Sequence, residues 1–177
     1  HRFGENKYPS TNVTETQFLS HIDYVLENEI QILSLEEIIE TLDRNEKFNE
    51  KAIAFSVDDA YSSFYEIAWP LLRDNNIPVT LFVSTDIIDK KTKGYMTWPE
   101  IKQFIDEGGI VGQHTAAHLH MPLNSVADIK KDILNSHKSW IKNIGFIPKL
   151  FAYPYGETSN EVIGILKEFD ISHAFGQ

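Results

Sequence analysis

Six short apolar runs recur along the chain, at about residues 30–33, 52–57, 77–83, 110–113, 149–153 and 171–175, and each but the last leads into a stretch with helical apolar spacing. This alternation predicts a parallel sheet with right-handed crossovers, because a strand can rejoin a parallel neighbour only through a long connection, usually a helix. No glycine-rich phosphate loop follows any of the runs, which favours a closed or partly closed barrel over an open doubly wound sheet. At 177 residues the chain is short for eight βα units, which take about 250. The expected fold class is therefore α/β, a distorted or incomplete (β/α) barrel with a parallel sheet and its site at the C-terminal strand ends. With 42% hydrophobic residues, residues 1–177 can bury one core and read as a single domain. The start at His1 rather than Met reads as a processed or shortened chain.

Local signals place the helices. Phe18, Ile22, Val25 and Leu26 recur at helical spacing from Thr14. Ser34 with Glu37 forms a capping box that opens a helix whose apolar stripe is Leu35, Ile38, Ile39 and Leu42. Residues 61–75 predict a helix bent or restarted at Pro70. Thr97 with Glu100 forms another capping box, and Gly108 with Gly109 ends that helix. Residues 125–143 and 158–169 predict two more helices. The first thirteen residues, with Gly4, Pro9 and Ser10, read as a polar loop.

Chemistry gathers at the ends of the predicted strands. The run at 52–57 stops at Asp58 and Asp59, and in parallel α/β folds that end is where functional side chains converge. The pair could instead cap the following helix. The strand at 110–113 delivers His114 and His118; a spacing of four puts both imidazoles on one side of a helical turn, close enough to share a metal ion. The strand at 149–153 runs into Pro154, Tyr155 and Gly156, a turn able to aim a backbone N–H into a cleft, though an ordinary turn fits as well. His120 lies near the same cleft but reads as a loop residue, and His137 reads as structural. An N-terminal histidine can bind copper through its amine and ring, but His1 has no second anchoring histidine in sight.

Charge narrows the partners. A net charge of −10 and a pI near 5.1 argue against nucleic acid or an anionic membrane surface as the main partner, since either would need a basic face. The absence of cysteine removes disulfides and thiol nucleophiles. No apolar run reaches the roughly 20 residues of a membrane helix. Tyr61, Trp69, Tyr95 and Trp98 could stack on sugar rings, although aromatics at helix starts also serve as core.

The sequences Phe55-Ser56-Val57-Asp58-Asp59-Ala60, His114-Thr115-Ala116-Ala117-His118 and Tyr153-Pro154-Tyr155-Gly156 resemble, in this order and at these separations, the first three motifs of the polysaccharide deacetylases, carbohydrate esterase family 4. The resemblance covers about residues 51–175. It implies a distorted (β/α) barrel that removes acetyl groups from N-acetylated, or in some members O-acetylated, polysaccharide using a divalent metal, often zinc. Carried over by position, Asp58 is the general base, Asp59, His114 and His118 are the metal ligands, and Tyr155 supplies a backbone donor to the oxyanion. An acetylated oligo- or polysaccharide is then the partner, and an extracytoplasmic place is implied. Three departures stand out: Ala60 replaces a usual glycine, Ala152 replaces an arginine that orients the base in many members, and the later motifs, with their general acid, are not found before Gln177. His173 lacks the surrounding pattern of that acid. An amidase for small molecules on the same fold, or a binding relative without turnover, remains open.

Overall fold

The computed structural model describes residues 1–5, 8–48 and 51–176. In chain order its elements are β1 (Arg2–Phe3), β2 (Asn12–Val13), α1 (Glu15–Glu27), β3 (Gln31–Ile32), α2 (Leu35–Asp43), β4 (Ala52–Ile53), β5 (Phe55–Asp58), α3 (Trp69–Asp74), β6 (Val79–Val83), α4 (Thr85–Asp89), α5 (Trp98–Asp106), β7 (Ile110–Gln113), α6 (Val126–Asn143), β8 (Leu150–Ala152), α7 (Asn160–Glu168) and β9 (His173–Phe175). Strands β5 to β9 lie side by side in sequence order, every pair parallel, and curl into a half-barrel. This is the incomplete barrel that the alternation predicted.

The sheet divides its residues by parity. In a strand, neighbouring side chains point to opposite faces, and here Val57, Leu81, Val111 and Phe151 are buried in the two larger apolar clusters, which include Phe64, Phe104 and Trp140 in one and Ile129, Ile133 and Val162 in the other. The intervening residues face inward. Ser56, Asp58, Phe82, His114, Ala152 and Phe175 line a common cavity. Phe82 pairs with Gly112 across the sheet, and a Cβ on Gly112 would collide with the Phe82 ring. Glycine there leaves room for the phenyl ring inside the half-barrel.

Several expectations need correction. The run at 52–57 is not one strand of the main sheet: β4 pairs with β3 in a separate two-stranded sheet, and only β5 joins the main sheet. Ser56 is exposed, because the concave face of a half-barrel is an open cavity rather than a helix interface. Correspondingly, the strand predicted at 30–33 lies outside the main sheet. Leu26 is 46% exposed and Leu42 is 60% exposed. Helix α2 buries no residue fully; only Leu35 and Ile39 pack, against the small cluster of Phe82, Leu150 and Ala152. The first thirteen residues are not a free loop, since β1 and β2 pair in parallel and Phe3 is buried against Phe18 and Phe64.

The segment before Pro70 opens into a π turn, Phe64–Ala68, before α3 begins. Proline has no N–H to donate and its ring crowds the carbonyl four residues back, so the wider turn, in which the Trp69 N–H reaches the Phe64 carbonyl, relieves both problems. Both predicted capping boxes form, with Glu37 bonded to the Ser34 amide at 2.8 Å and Glu100 bonded to the Thr97 amide at 2.6 Å.

Candidate metal centre and active site

The acid pair sits where β5 ends. Asp58 is still extended, but Asp59 has φ 73° and Ala60 has φ 55°. In a continued strand the two acids would point to opposite faces; the left-handed turn lets both line the same cavity. Ala60 adopts this conformation without being glycine, at a cost of about 1–2 kcal/mol. The turn is held in place by the Met96 N–H, which donates to the Ala60 carbonyl at 2.9 Å.

The histidines follow β7, and the segment carrying them is not helical. Thr115 has φ 62° and His118 has φ 53°, so a helical spacing of four is realised by a looped backbone instead. The loop is clamped from two sides. The amides of Thr85 and Asp86 donate to the carbonyls of Thr115 and Ala116 at 3.3 and 2.9 Å, and the Ser84 hydroxyl donates to the His114 carbonyl at 2.7 Å. From α6, the buried Asp132 carboxylate accepts the Ala116 and Ala117 amides at 2.6 and 3.0 Å. Burial raises the Asp132 carboxyl above its ordinary value, and those two amide donors oppose the rise.

Together these loops assemble a ligand set. The side-chain donors of Asp59, His114 and His118 all lie within 4.8 Å of one another. His114 Nε2 is 3.7 Å and His118 Nε2 is 3.4 Å from Asp59 Oδ1. A tetrahedral ion with bonds of about 2.0–2.2 Å requires its ligands to be roughly 3.3–3.6 Å apart, so the two Asp59 distances suit a divalent cation nearly as they stand, and a set spanning up to 4.8 Å would close by about 1 Å around it. His114 is 2% exposed, and its Nδ1 lies 2.8 Å from the Ala152 carbonyl. A carbonyl can only accept, so Nδ1 carries the hydrogen, which leaves Nε2, on the Asp59 side, as the nitrogen that can ligate a metal. Burial lowers the His118 imidazole below its ordinary value, with His114 adding to the effect and Asp59 and Asp58 opposing it; a neutral ring is what metal ligation needs. Burial raises the Asp58 carboxyl, His114 opposes that shift, and the Asp59 charge adds to it.

The cavity over these residues has a volume of about 410 Å³ and is also lined by His1, Arg2, Tyr61, Tyr155 and Gly156. Tyr155 has φ 63° and is 59% exposed at the rim; its ring stands edge-on to His118 at 4.7 Å and tilted against His120 at 4.8 Å. His120 turns aside to Glu157, to which its Nε2 is hydrogen-bonded at 2.8 Å. His173 pairs with Asp43, and His137 packs on Phe169 beside a different, smaller cavity.

The four aromatics singled out for sugar stacking all have partners within the chain, and of them Tyr61 lines the main cavity. Trp69 is core, and Trp98 bonds Asp89 and packs against Trp140. Tyr61 and Tyr95 stack on each other at 4.5 Å, and Tyr61 also carries the Arg2 guanidinium over its ring. His1, by contrast, escaped the sequence reading as part of this site. Its Nδ1 lies 3.5 Å from Asp59 Oδ2 and 4.0 Å from Asp58 Oδ2, and no local signal could announce a contact between residues nearly sixty positions apart. Asp132 did leave a signal, as an acid inside the apolar stripe Ile129, Ile133 and Trp140 of α6.

With this geometry in hand, comparison with known proteins is informative. The family model of the polysaccharide deacetylases matches residues 45–174. The poly-beta-1,6-N-acetyl-D-glucosamine N-deacetylase of Staphylococcus aureus is 26% identical over 184 residues, covering 93% of this chain and 60% of its own length. The chain thus spans about three fifths of that relative. Among solved structures, the Streptococcus pyogenes deacetylase PplD in complex with acetate superposes with a TM-score of 0.85 at 20% identity, covering 97% of this chain and 78% of that one. IcaB from Ammonifex degensii gives 0.84 at 23%, covering 93% and 76%. Identities this low speak to the shared fold alone. The family model, which spans well over half of the chain, settles the kinship: the chain belongs to the polysaccharide deacetylase family.

Proposed function

We propose that the protein is a metal-dependent hydrolase that removes acetyl groups from an N-acetylated polysaccharide, with O-acetylated polymers as a related substrate class. The observation that carries the reading is the convergence of Asp59, His114 and His118 around one point, with Asp58 beside them in the same cavity. Zinc suits two neutral imidazoles and one carboxylate. A divalent cation held there would polarise the acetyl carbonyl, make a water more acidic and keep Asp58 ionised.

The remaining steps belong to the chain. Asp58 takes the proton from the water as its oxygen forms a bond to the carbonyl carbon. The Tyr155 amide donates to the oxyanion that develops. The carbon–nitrogen bond then breaks, and the leaving amine must receive a proton. His1 is the candidate donor in this reading: its imidazole lines the same cavity, with Nδ1 3.5 Å from Asp59 Oδ2 and 4.0 Å from Asp58 Oδ2. That placement favours turnover over the binding-only reading, which rested on a missing acid. The exposed Tyr155 at the rim leaves the cavity open to solvent, as a polymer substrate requires. An acetylated polymer of this kind also favours an extracytoplasmic setting; no helix among the described residues is long and apolar enough to cross a membrane.

The test is acetate release from N-acetylglucosamine oligomers by zinc-loaded protein. Asp58→Asn should reduce it by at least about a hundredfold, the lower end of general-base contributions, with zinc content unchanged. Absence of acetate from the wild-type protein with metal bound would refute the catalytic reading.

A further inference from the structure

The candidate ligands are supported in different ways. His114 is tied through Nδ1 to the Ala152 carbonyl, and the loop that carries both histidines is clamped by Ser84 and Asp132. The Asp59 carboxylate, by contrast, makes no hydrogen bond among the described residues; its contacts are the imidazoles of His1, His114 and His118, at 3.5, 3.7 and 3.4 Å. Its direction is therefore set by the backbone. That backbone is an unfavourable one, since Asp59 and Ala60 are consecutive non-glycine residues with φ 73° and 55°, a conformation that persists only where the surroundings impose it.

Two distant segments impose it. From the loop before α5, the Met96 amide donates to the Ala60 carbonyl at 2.9 Å, and the Ser62 amide donates to the Gly94 carbonyl at 3.0 Å. Tyr61 and Tyr95 form an antiparallel bridge there, with their rings 4.5 Å apart. From β1, the Arg2 guanidinium donates to the Tyr61 hydroxyl at 2.5 Å and lies 3.9 Å from the centroid of the same ring. Its neighbour follows suit: the Phe3 amide donates to Ser63 Oγ at 3.2 Å, and the Phe3 ring is buried. Arg2 is braced in turn by Thr11 Oγ1, to which it donates at 2.8 Å, and by the Tyr8 ring at 4.6 Å. Tyr61, the first residue after the left-handed turn, is thus gripped between Tyr95 and Arg2. A planar guanidinium that both bonds the hydroxyl and lies over the ring fixes the phenol in a way that a lysine ammonium cannot reproduce.

We infer that Arg2 is a positioning residue for the metal: by pinning Tyr61 it fixes the turn through Asp59 and Ala60, and so aims the Asp59 carboxylate at the point where His114 and His118 converge. The inference rests on the metal centre of the proposed hydrolase and concerns affinity for the ion, not a step of the reaction. Groups that support a metal ligand commonly contribute about 10- to 100-fold to affinity. A group that acts through one ligand leaves the contributions of the others untouched, which makes the route of its action measurable.

Zinc affinity, read without substrate by competition with a chromophoric chelator, is compared in the wild type, Arg2→Met, Arg2→Lys and Tyr61→Phe, and with Arg2→Met placed in Asp59→Asn and in His118→Ala. Arg2→Met should weaken zinc binding by about 10- to 100-fold. Arg2→Lys should recover only part of that loss, and Tyr61→Phe, which keeps the ring and loses the hydroxyl, should cost less than Arg2→Met. In Asp59→Asn the further loss from Arg2→Met should nearly vanish, because the ligand it aims is already gone, whereas in His118→Ala the two losses should add. Unchanged affinity in Arg2→Met, full recovery in Arg2→Lys, or a full further loss in Asp59→Asn would overturn the inference while leaving the deacetylase reading intact. A wild-type protein that binds no zinc would remove the metal centre and the inference with it. If Arg2→Met fails to give a native circular dichroism spectrum, Tyr61→Phe alone and in Asp59→Asn decides by the same criteria.

Discussion

The two faces of the five-stranded sheet are built from alternate residues of the same strands, yet one carries the stability and the other the chemistry. Outward, Val57, Leu81, Val111 and Phe151 lie in the closed apolar clusters beneath the helices. Inward, Ser56, Asp58, Phe82, His114, Ala152 and Phe175 surround a cavity open at its rim. A buried apolar side chain contributes about 1.5–3 kcal/mol by leaving water, whereas the inward face ends in two adjacent, partly solvated carboxylates, Asp58 and Asp59, and buries the polar ring of His114. The division teaches that stability and activity should be separable, one residue apart along a strand.

That separation can be pressed hardest at the ligands. His118→Ala should abolish metal-dependent turnover, a loss of more than about a thousandfold, beyond the 10- to 100-fold typical of outer-shell changes. The melting temperature without metal should scarcely move, because the ring is only half-buried. Leu81→Ala tests the other face: truncating a fully buried leucine should lower stability by about 2–5 kcal/mol in urea unfolding, while the protein that remains folded binds zinc normally. Asp132→Asn tests whether the faces communicate through the histidine loop. Replacing a carboxylate that accepts two amides should weaken zinc binding by about tenfold, the low end of supporting-residue effects, measured by competition with a chromophoric chelator. The smallest effect belongs to Ala60→Gly. Relief of the left-handed alanine is worth about 1–2 kcal/mol, and the extra freedom of glycine in the unfolded chain opposes it by about 0.5–1 kcal/mol. Stability should rise by about 1 kcal/mol or less, and turnover should be unchanged. A fall in stability instead would show that the turn after the acids is not strained.

What could be read from the sequence followed the same division. The apolar alternation and both predicted capping boxes are local signals, and the helices and main strands they predicted are present, apart from the first strand, which pairs outside the sheet. The strand-end acids and histidines were legible because parallel topology alone brings those ends together. Their backbone was not: the positive φ values at Asp59, Ala60, Thr115 and His118 are imposed by tertiary contacts, such as Met96 on Ala60 and Asp132 on the histidine loop, that no local pattern encodes. His1 and Arg2 were missed for a related reason. They reach the site by pairing with residues about sixty positions away, and a polar, turn-rich segment gives no sign of where it docks.

The central claim is that Asp59, His114 and His118 hold a single divalent cation with Asp58 at its side. Anomalous X-ray scattering from crystals of the zinc-loaded protein, recorded above and below the zinc edge, tests it most directly. The account predicts one strong peak about 2.0–2.2 Å from Asp59 Oδ1, His114 Nε2 and His118 Nε2, with the Asp58 carboxylate facing the same space. A peak elsewhere, or none between those three side chains at saturating zinc, would contradict it.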